Sequence, residues 1–281
     1  MKKALVIFNP MAGAKSWKNV SHIIQDELKK QNYTWEWFET QPINPQPLNS
    51  FTKKKFNRIL VVGGDGTIAD VASFLIKNNI KTPLVIVPQG SANLLATTLK
   101  IPLLQIRKAI QKGLNLPEKA FDIMEINQRH HGLIAVGQGY DVQIMKHTTR
   151  HLKRKLGIIA YIYIFLKTFF IYHPHPYRLT IDGKRHQVLA KSVLVFNAFP
   201  FPQYASNLNV QPNDGLLNII IFNPRSLWDL LKFAPKFQTF TGKKIIIKPK
   251  KETEFDVDGE IFKGKTVEIE IKPKAINIVY P

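Results

Sequence analysis

The chain has 281 residues, of which 44% are hydrophobic, so an intrinsically disordered protein is excluded and two domains with separate cores can form. It contains no cysteine, which excludes disulfides and thiolate metal sites and is typical of a reducing compartment. Forty Lys and Arg against 20 Asp and Glu give a net charge of +20, which favours a polyanionic partner such as a nucleotide or an anionic membrane.

Three units of the same kind predict the fold of the first part of the chain. The apolar strands Ala4–Phe8, Ile59–Val62 and Leu84–Val87 each run into a loop of small residues, and a helical pattern follows each loop. Alternating strands and helices whose strands are apolar throughout indicate a doubly wound parallel sheet. Ligands bind to such sheets at the carboxyl ends of the strands, so we expect the three loops to converge on one crevice.

The loop Gly63-Gly64-Asp65-Gly66-Thr67 is the strongest candidate for a binding site. From Ile68 onward the apolar residues have helical spacing, which predicts a strand, a glycine turn and the start of a helix. Glycines let a phosphate approach the backbone, and the first N–H groups of a helix attract anions. The carboxylate of Asp65 suits such a site if a metal ion or a hydrogen-bond donor is bound there as well. The alternative is a turn that needs glycine only for steric reasons.

Short strands follow one another from Phe121 onward, and the composition changes between residues 113 and 122. Asp182-Gly183 and Asp258-Gly259 stand where tight hairpin turns are expected. The second part of the chain is therefore predicted to be an antiparallel β-sandwich or barrel. We place the first domain at residues 1–118 and the second at residues 119–281.

The segment Lys153–Tyr172 interrupts these strands with an uncharged run from Leu156 to Leu166. That run is shorter than the ~18–20 residues that span a bilayer. One interpretation is a core helix packed on the sheet, which is the commoner case for such runs. The other is a helix that lies in a membrane interface behind the basic residues between Arg150 and Lys155.

Taken together, these motifs resemble a known family. Gly63–Thr67, Pro88-Gln89-Gly90-Ser91-Ala92-Asn93 and Val257-Asp258-Gly259-Glu260 resemble the motifs of the bacterial diacylglycerol-kinase-like lipid kinases, relatives of sphingosine and ceramide kinases. Asn9 to Gly13 and Asn213-Asp214-Gly215 are in register too, so the resemblance covers nearly the whole chain. The Gly-Gly-Asp-Gly-Thr element alone is shared with NAD kinases and phosphofructokinases. The resemblance implies an N-terminal doubly wound α/β nucleotide-binding domain, a C-terminal antiparallel β-sandwich domain for the lipid substrate, and an active site in the cleft between them.

The resemblance also implies roles for individual residues. The ATP-binding positions would be Asn9, Pro10, Gly13, Thr40, Gly63, Gly64, Gly66, Thr67, Asp70, Gly90, Ser91 and Asn93. Asp65 would help to hold the Mg²⁺–phosphate unit, and Asp214 matches a carboxylate that is linked to a structural magnesium ion. Glu260 matches the general base that takes the proton from the lipid hydroxyl, with Asp258 beside it. Without the resemblance, Asp258-Gly259-Glu260 is a plain hairpin turn with an exposed Glu.

The leading hypothesis is an ATP- and Mg²⁺-dependent kinase that phosphorylates a hydroxyl of a diacylglycerol-like membrane lipid. We expect it in the cytoplasm, peripherally associated with an anionic membrane, since the apolar run near the N-terminus is too short for a signal peptide. No nucleic-acid-binding motif is present, so no nucleic-acid partner is expected, and a homodimer is left open. The first alternative is an NAD kinase. The second is a non-catalytic, nucleotide-binding membrane-associated protein, which the departures from the usual family residues at Leu94 and Gln211 keep open.

Overall fold

The computed structural model describes residues 1–10, 17–40, 50–147, 158–169, 171–199, 210–226, 229, 237–250 and 253–281. The chain divides into two compact units. The first unit contains Met1–Phe121 together with Lys274–Pro281, and the second contains Asp122–Pro273.

The first unit is built on a parallel sheet. Its elements in chain order are β1 (Lys2–Phe8), α1 (Trp17–Lys30), β2 (Tyr33–Glu39), β3 (Arg58–Gly63), α2 (Asp65–Lys77), β4 (Leu84–Pro88), α3 (Leu94–Thr98) and α4 (Ile106–Asn115). The strands lie in the order β2-β1-β3-β4, and all of these pairs are parallel. The chain moves outward from β1 to β2 and in the opposite direction from β3 to β4, so the order reverses between β1 and β3. In open α/β sheets, ligands bind at such a switch point, beyond the carboxyl ends of the strands.

Helices cover both faces of this sheet. The core on one face joins the strands to α1 and α4, and its members include Ala4, Val6, Val20, Ile24, Leu28, Leu60, Val62, Val85, Val87, Ile106, Ile110 and Leu114. On the other face, Leu5, Ile7 and Ile59 line one cavity together with Phe74 and Leu75 of α2. Strands that are buried on both sides have to be apolar throughout, which is the pattern in the sequence. The predicted doubly wound α/β domain is therefore confirmed.

The second unit is an antiparallel β-sandwich, as predicted. Its elements follow β5 (Glu118–Ile126), and they are β6 (His130–Gly132), β7 (Ala135–Gly139), α5 (Tyr140–His147), α6 (Ile158–Thr168), β8 (His175–Ile181), β9 (Lys184–Ala190), β10 (Ser192–Phe196), β11 (Leu217–Phe222), β12 (Gln238–Gly242), β13 (Lys244–Pro249), β14 (Thr253–Val257), β15 (Glu260–Gly264) and β16 (Val267–Val279). One sheet has the order β12-β11-β10-β7-β14-β15, and β16, β13, β8 and β9 pair in that order in the other. Side chains from both sheets, such as Val193, Ile219, Ile245 and Ile269, share one core.

The last strand contributes residues to both units. Near its start, β16 pairs with β13, for example Ile269 with Ile245. At its end, Ile278 and Val279 pair in parallel with Leu84 and Val85 of β4. This pairing is why residues 274–281, which the predicted boundary assigns to the second domain, cluster with the first unit.

Both predicted Asp-Gly hairpin turns are confirmed. Asp182 and Gly183 connect β8 to β9 with φ angles of 46° and 83°, and Asp258 and Gly259 connect β14 to β15 with φ angles of 49° and 91°. Two successive positive φ angles are what a two-residue type I′ hairpin turn requires, and Asp-Gly is a favoured pair for it.

The apolar segment predicted around Lys153–Tyr172 is described only from Ile158, without Phe170, so its basic N-terminal part lies outside the described residues. One side of α6 packs inward, since Ile164 is buried and the Tyr140 hydroxyl hydrogen-bonds the Phe165 carbonyl and, at 2.9 Å, the Thr168 hydroxyl. Ile159, Tyr163 and Leu166 are exposed. In the part of the chain that the structure describes, no helix has the length and apolar character needed to cross a membrane.

Candidate active-site residues

The two glycine loops of the first unit touch each other backbone to backbone. A Cβ atom on Gly90 would lie 2.5 Å from the Cα of Gly64, and one on Gly63 would lie 2.8 Å from the Cβ of Thr67. The N–H of Gln89 donates a hydrogen bond of 2.8 Å to the Gly63 carbonyl. Glycine is therefore required at position 90 because the loops after β3 and β4 pack closely, whereas at position 63 a side chain would crowd Thr67 of the same loop.

Gly66 has a different environment. It is exposed, and a Cβ atom at this position would meet no other atom within 4 Å. It lies in the first turn of α2, where backbone N–H groups have no partner inside the helix and the helix dipole is positive. Packing does not require this glycine, and the open space in front of it leaves room for an anionic group.

The residue after β1 contacts the glycine loop, and the residue after β2 contacts the end of β1. The N–H of Asn9 donates to the Val62 carbonyl at 3.1 Å, and its Nδ2 donates to the Thr67 hydroxyl at 3.3 Å. Thr40 donates from its N–H to the Phe8 carbonyl at 2.8 Å. Of the three loops expected to converge, those after β3 and β4 touch each other, and Asn9 joins the loop after β1 to them. The remainder of the predicted site loop after β1, from residue 11 to Gly13, lies outside the described residues.

The carboxylate of Asp65 is hydrogen-bonded by the chain itself. Its two oxygens accept the N–H groups of Leu94 and Leu95, both at 3.0 Å, at the start of α3. Asn93 precedes this helix with a φ of 49°, and its side chain both accepts from and donates to the backbone of Gly90 at 2.8 Å. The sequence leaves open whether a metal ion or a hydrogen-bond donor partners Asp65, and the structure shows that backbone N–H groups at the start of α3 are two such donors.

Three of the predicted ATP-binding residues have exposed positions. Pro10 follows Asn9 at the end of β1, Ser91 lies in the turn before Asn93, and Asp70 lies on α2. Like the other positions assigned to ATP, they remain predictions.

In the second unit, Asp258 anchors the hairpin that carries Glu260. Its carboxylate accepts the N–H groups of Leu133, Ile134 and Ala135 at 2.6, 2.9 and 2.9 Å. Three backbone N–H groups donate to the two carboxylate oxygens, so Asp258 stabilises the turn.

Glu260 follows this turn as the first residue of β15 and pairs with Val257. Its side chain is exposed, and among the described residues no hydrogen bond or ion pair holds its carboxylate. The carboxylate is therefore open to a substrate that approaches from solvent.

A pair of acidic side chains that sequence reasoning missed lies next to the same hairpin. Asp141 accepts the Ser192 hydroxyl at 2.8 Å, and Asp256 accepts the Gly259 N–H at 2.9 Å. Both carboxyl groups point at Gly137, where a Cβ atom would overlap Asp141 Oδ2 and lie 2.6 Å from Asp256 Oδ1. Burial raises the pKa of Asp141, and burial followed by the charge of Asp141 raises the pKa of Asp256 well above its usual value.

Asp214 lies in the turn before β11, close to a second carboxylate. Its Oδ1 accepts the Leu216 N–H at 2.9 Å, and Asp122 accepts the neighbouring Gly215 N–H at 2.7 Å. Partial burial raises the pKa of Asp214, and the charge of Asp122 raises it further. No cluster of three or more His, Cys, Asp or Glu side chains suited to a metal ion occurs among the described residues.

Comparisons with known proteins find a matching family model for each of the two parts of the chain. Residues 3–126 match the family model of the diacylglycerol kinase catalytic domain, and residues 134–280 match that of the YegS C-terminal NAD kinase beta sandwich-like domain. A Staphylococcus aureus protein named "Putative lipid kinase" is 28% identical over 240 residues, covering 80% of this chain and 78% of its own length. An uncharacterised Synechocystis protein is 26% identical over 311 aligned residues, covering all of this chain and 70% of its own length.

A solved structure shares the whole fold. The crystal structure described as "a putative diacylglycerol kinase" from Bacillus anthracis is 25% identical and superposes with a TM-score of 0.85. The match covers 100% of this chain and 97% of that chain.

Proposed function

Because the chain belongs to the diacylglycerol-kinase-like lipid kinase family, we propose that it transfers the γ-phosphate of ATP to a hydroxyl group of a diacylglycerol-like membrane lipid. Family membership supports a kinase with a lipid acceptor. The observation that carries the nucleotide half of the proposal is the open backbone at Gly66, in the first turn of α2.

The ATP phosphates would lie against this first turn. At Gly66 a phosphate oxygen can come close to the backbone N–H groups, which attract anions through their partial positive charge. Asn9, Thr40 and Ser91 follow β1, β2 and β4, and they would add polar contacts from the neighbouring strand ends. Gly64 and Gly90 would act indirectly, by letting the two loops lie close together, and Gly63 by leaving room for the Thr67 side chain.

Two places offer oxygen ligands that fit Mg²⁺. Asp65 is a carboxylate at the phosphate loop, and Mg²⁺ is usually held by one or two carboxylates together with the phosphates. Asp214 and Asp122 are a second place, because the charge of Asp122 raises the pKa of Asp214, and a bound cation would relieve this repulsion. When bound at the phosphates, the ion neutralises charge on the transferred group. Asp65 would hold and orient it there.

Glu260 is proposed as the general base. Its carboxylate is exposed and unengaged among the described residues, so it is free to accept the proton of a lipid hydroxyl. Asp258 would act as a positioning residue, since its carboxylate is engaged by three backbone N–H groups and holds the hairpin in place.

The substrate and the charge of the chain support a peripheral membrane partner. A net charge of +20 draws a protein to anionic lipid, where its acceptor would be found.

The test is transfer of labelled γ-phosphate from ATP, with Mg²⁺, to mixed-lipid vesicles and, in a second tube, to NAD. Label in the organic phase that is lost in the Asp65→Ala variant would support the lipid kinase, and mass analysis of the product would then identify the acceptor. Label in NADP would establish an NAD kinase instead. ATP binding without transfer to either acceptor would contradict the kinase proposal.

A further inference from the structure

Helix α6 presents an apolar face to solvent. Ile159, Tyr163 and Leu166 are 59%, 53% and 48% exposed, and their spacing of four and three residues puts them on one side of the helix. Ile171, just beyond the end of α6, is 72% exposed. We call Ile159, Tyr163 and Leu166 the outer face of α6.

The opposite side of α6 is firmly attached to the second unit. Ile164 and Phe169 are buried, and Tyr140 of α5 hydrogen-bonds the Phe165 carbonyl and the Thr168 hydroxyl. The Thr168 hydroxyl also donates to the Ile164 carbonyl at 2.7 Å. The outer face therefore belongs to a helix that is held against the second unit, and its three exposed apolar side chains on one side of the helix are candidates for an interaction site.

The charges along this part of the sequence are of one sign. Between Val142 and Ile181 there is no Asp or Glu, while the same stretch contains Arg150, Lys153, Arg154, Lys155, Lys167 and Arg178 besides Lys146, which forms an ion pair with Glu254. Lys167 is exposed and follows Leu166 directly. An exposed apolar face within a basic, acid-free stretch is the pattern of a helix that lies in the interface of an anionic bilayer.

We propose that the outer face of α6 docks onto an anionic lipid bilayer, with Ile159, Tyr163 and Leu166 entering the headgroup region. The inference rests on the proposed function in its choice of a membrane as partner. At 11 residues, α6 lies on the bilayer without crossing it. A second copy of this chain is a poorer occupant, because a symmetric contact would bring two acid-free basic stretches together.

The first test is vesicle flotation, without ATP, on equal parts of phosphatidylcholine and phosphatidylglycerol. We expect the double variant Ile159→Ser with Leu166→Ser to bind at least about tenfold more weakly than the wild type. Lys167→Gln should weaken binding about fivefold and reduce its sensitivity to salt. The matched controls are Leu104→Ser and Leu189→Ser, which remove apolar side chains that are 89% and 55% exposed elsewhere, and they should bind like the wild type.

A second measurement locates the contact directly. Since the chain has no cysteine, Tyr163→Cys gives a unique site for an environment-sensitive fluorophore, and Leu189→Cys gives the control. On vesicles that contain brominated lipid, the label at position 163 should be quenched and the label at position 189 should not. Equal quenching at the two positions, or none at position 163, would overturn the proposal.

Flotation tests the docking surface and phosphate transfer tests the proposed function, so either proposal can be refuted without the other. A wild-type protein that floats but transfers no phosphate would refute the proposed function and leave the docking surface standing. A double variant that floats like the wild type would refute the docking surface, whatever the activity on detergent-dispersed lipid. If that variant instead turns a dimer into a monomer in analytical ultracentrifugation and still floats, the outer face is a contact between copies and the proposal is wrong.

Discussion

The carboxyl group of Asp256 lies against that of Asp141, and both converge on the backbone of Gly137. Burial raises the pKa of each group, and the charge of Asp141 adds to the shift of Asp256. Ionising both carboxyl groups in such contact costs electrostatic free energy, so they titrate as a pair and share a proton. Asp256 also accepts the Gly259 N–H at 2.9 Å, which ties this pair to the hairpin of Glu260.

Replacing Asp256 by Asn should flatten the pH dependence of stability. Because the folded-state pKa values are raised, the folded protein holds more protons than the unfolded chain above an ordinary aspartate pKa of 3.8. The contribution of the pair to the free energy of unfolding is therefore largest below that pH and falls as the pH rises through the raised values. Urea unfolding over a pH series measures the slope. Asp26→Asn, at a half-exposed side chain, is the control and should keep the wild-type slope. An unchanged slope in Asp256→Asn would disprove the shared proton.

A substitution at Gly66 tests the phosphate site. In Gly66→Ala the methyl group meets no protein atom within 4 Å and lies in a helical turn, so stability should not fall. The same methyl group would take up space needed by a phosphate, and we expect the Kd for ATP to rise about tenfold or more, which calorimetric titration measures. Gly90→Ala is the comparison, because its methyl group would lie 2.5 Å from the Gly64 Cα and should lower Tm. Unchanged ATP affinity in Gly66→Ala would show that the phosphates do not bind at Gly66.

The strands of the first unit could be predicted because strands buried on both faces have to be apolar throughout. Helix α4 is absent from the prediction, although Ile106, Ile110 and Leu114 all face the core. Gly113 within it weakens the helical pattern, yet the structure needs glycine there, because a Cβ atom would overlap Val85. The helical spacing of α4 can be found in the local sequence, but the need for Gly113 comes from its contact with Val85 of the sheet.

The candidate site could be predicted in part. Its glycines and acids stand in recognisable motifs, but the sequence does not distinguish Gly66, which faces open space, from Gly90, which packs on Gly64. Hydrogen bonds from Leu94 to Asp65 and the contact of Asp141 with Asp256 join residues that are far apart in the chain. Such contacts depend on strand register, such as the pairing of Asp256 with Gly137, which no local pattern contains.

Two substitutions separate the structural role of Asp65 from its proposed chemical role. Asp65→Asn keeps one oxygen acceptor for the N–H groups of Leu94 and Leu95, and Asp65→Ala keeps none. Loss of this cap in Asp65→Ala should cost about 0.5–2 kcal/mol of stability, measured by urea unfolding, and Asp65→Asn should cost less. If Asp65 also holds the Mg²⁺–phosphate unit, both variants should lose turnover, since neither has the charge. Full turnover in Asp65→Asn would leave Asp65 with the capping role alone.

Substitution of Glu260 should lower kcat and leave stability unchanged, whereas substitution of Asp258 should lower stability. Glu260→Gln changes an exposed carboxylate, so stability and ATP affinity should stay unchanged while kcat falls by roughly 10²–10⁴, the loss expected for a general base. Asp258→Asn alters a carboxylate that accepts three backbone N–H groups, so it should cost roughly 1–3 kcal/mol of stability.

Asp182→Asn is the matched control for Asp258→Asn. Asp182 stands in the same kind of Asp-Gly turn and accepts hydrogen bonds from the Lys243 and Lys244 N–H groups, so its variant should lose stability without any change in kcat. Initial rates of phosphate transfer and urea unfolding give the two readouts. A wild-type kcat in Glu260→Gln would exclude Glu260 from proton transfer, and the base would have to be sought elsewhere in the second unit.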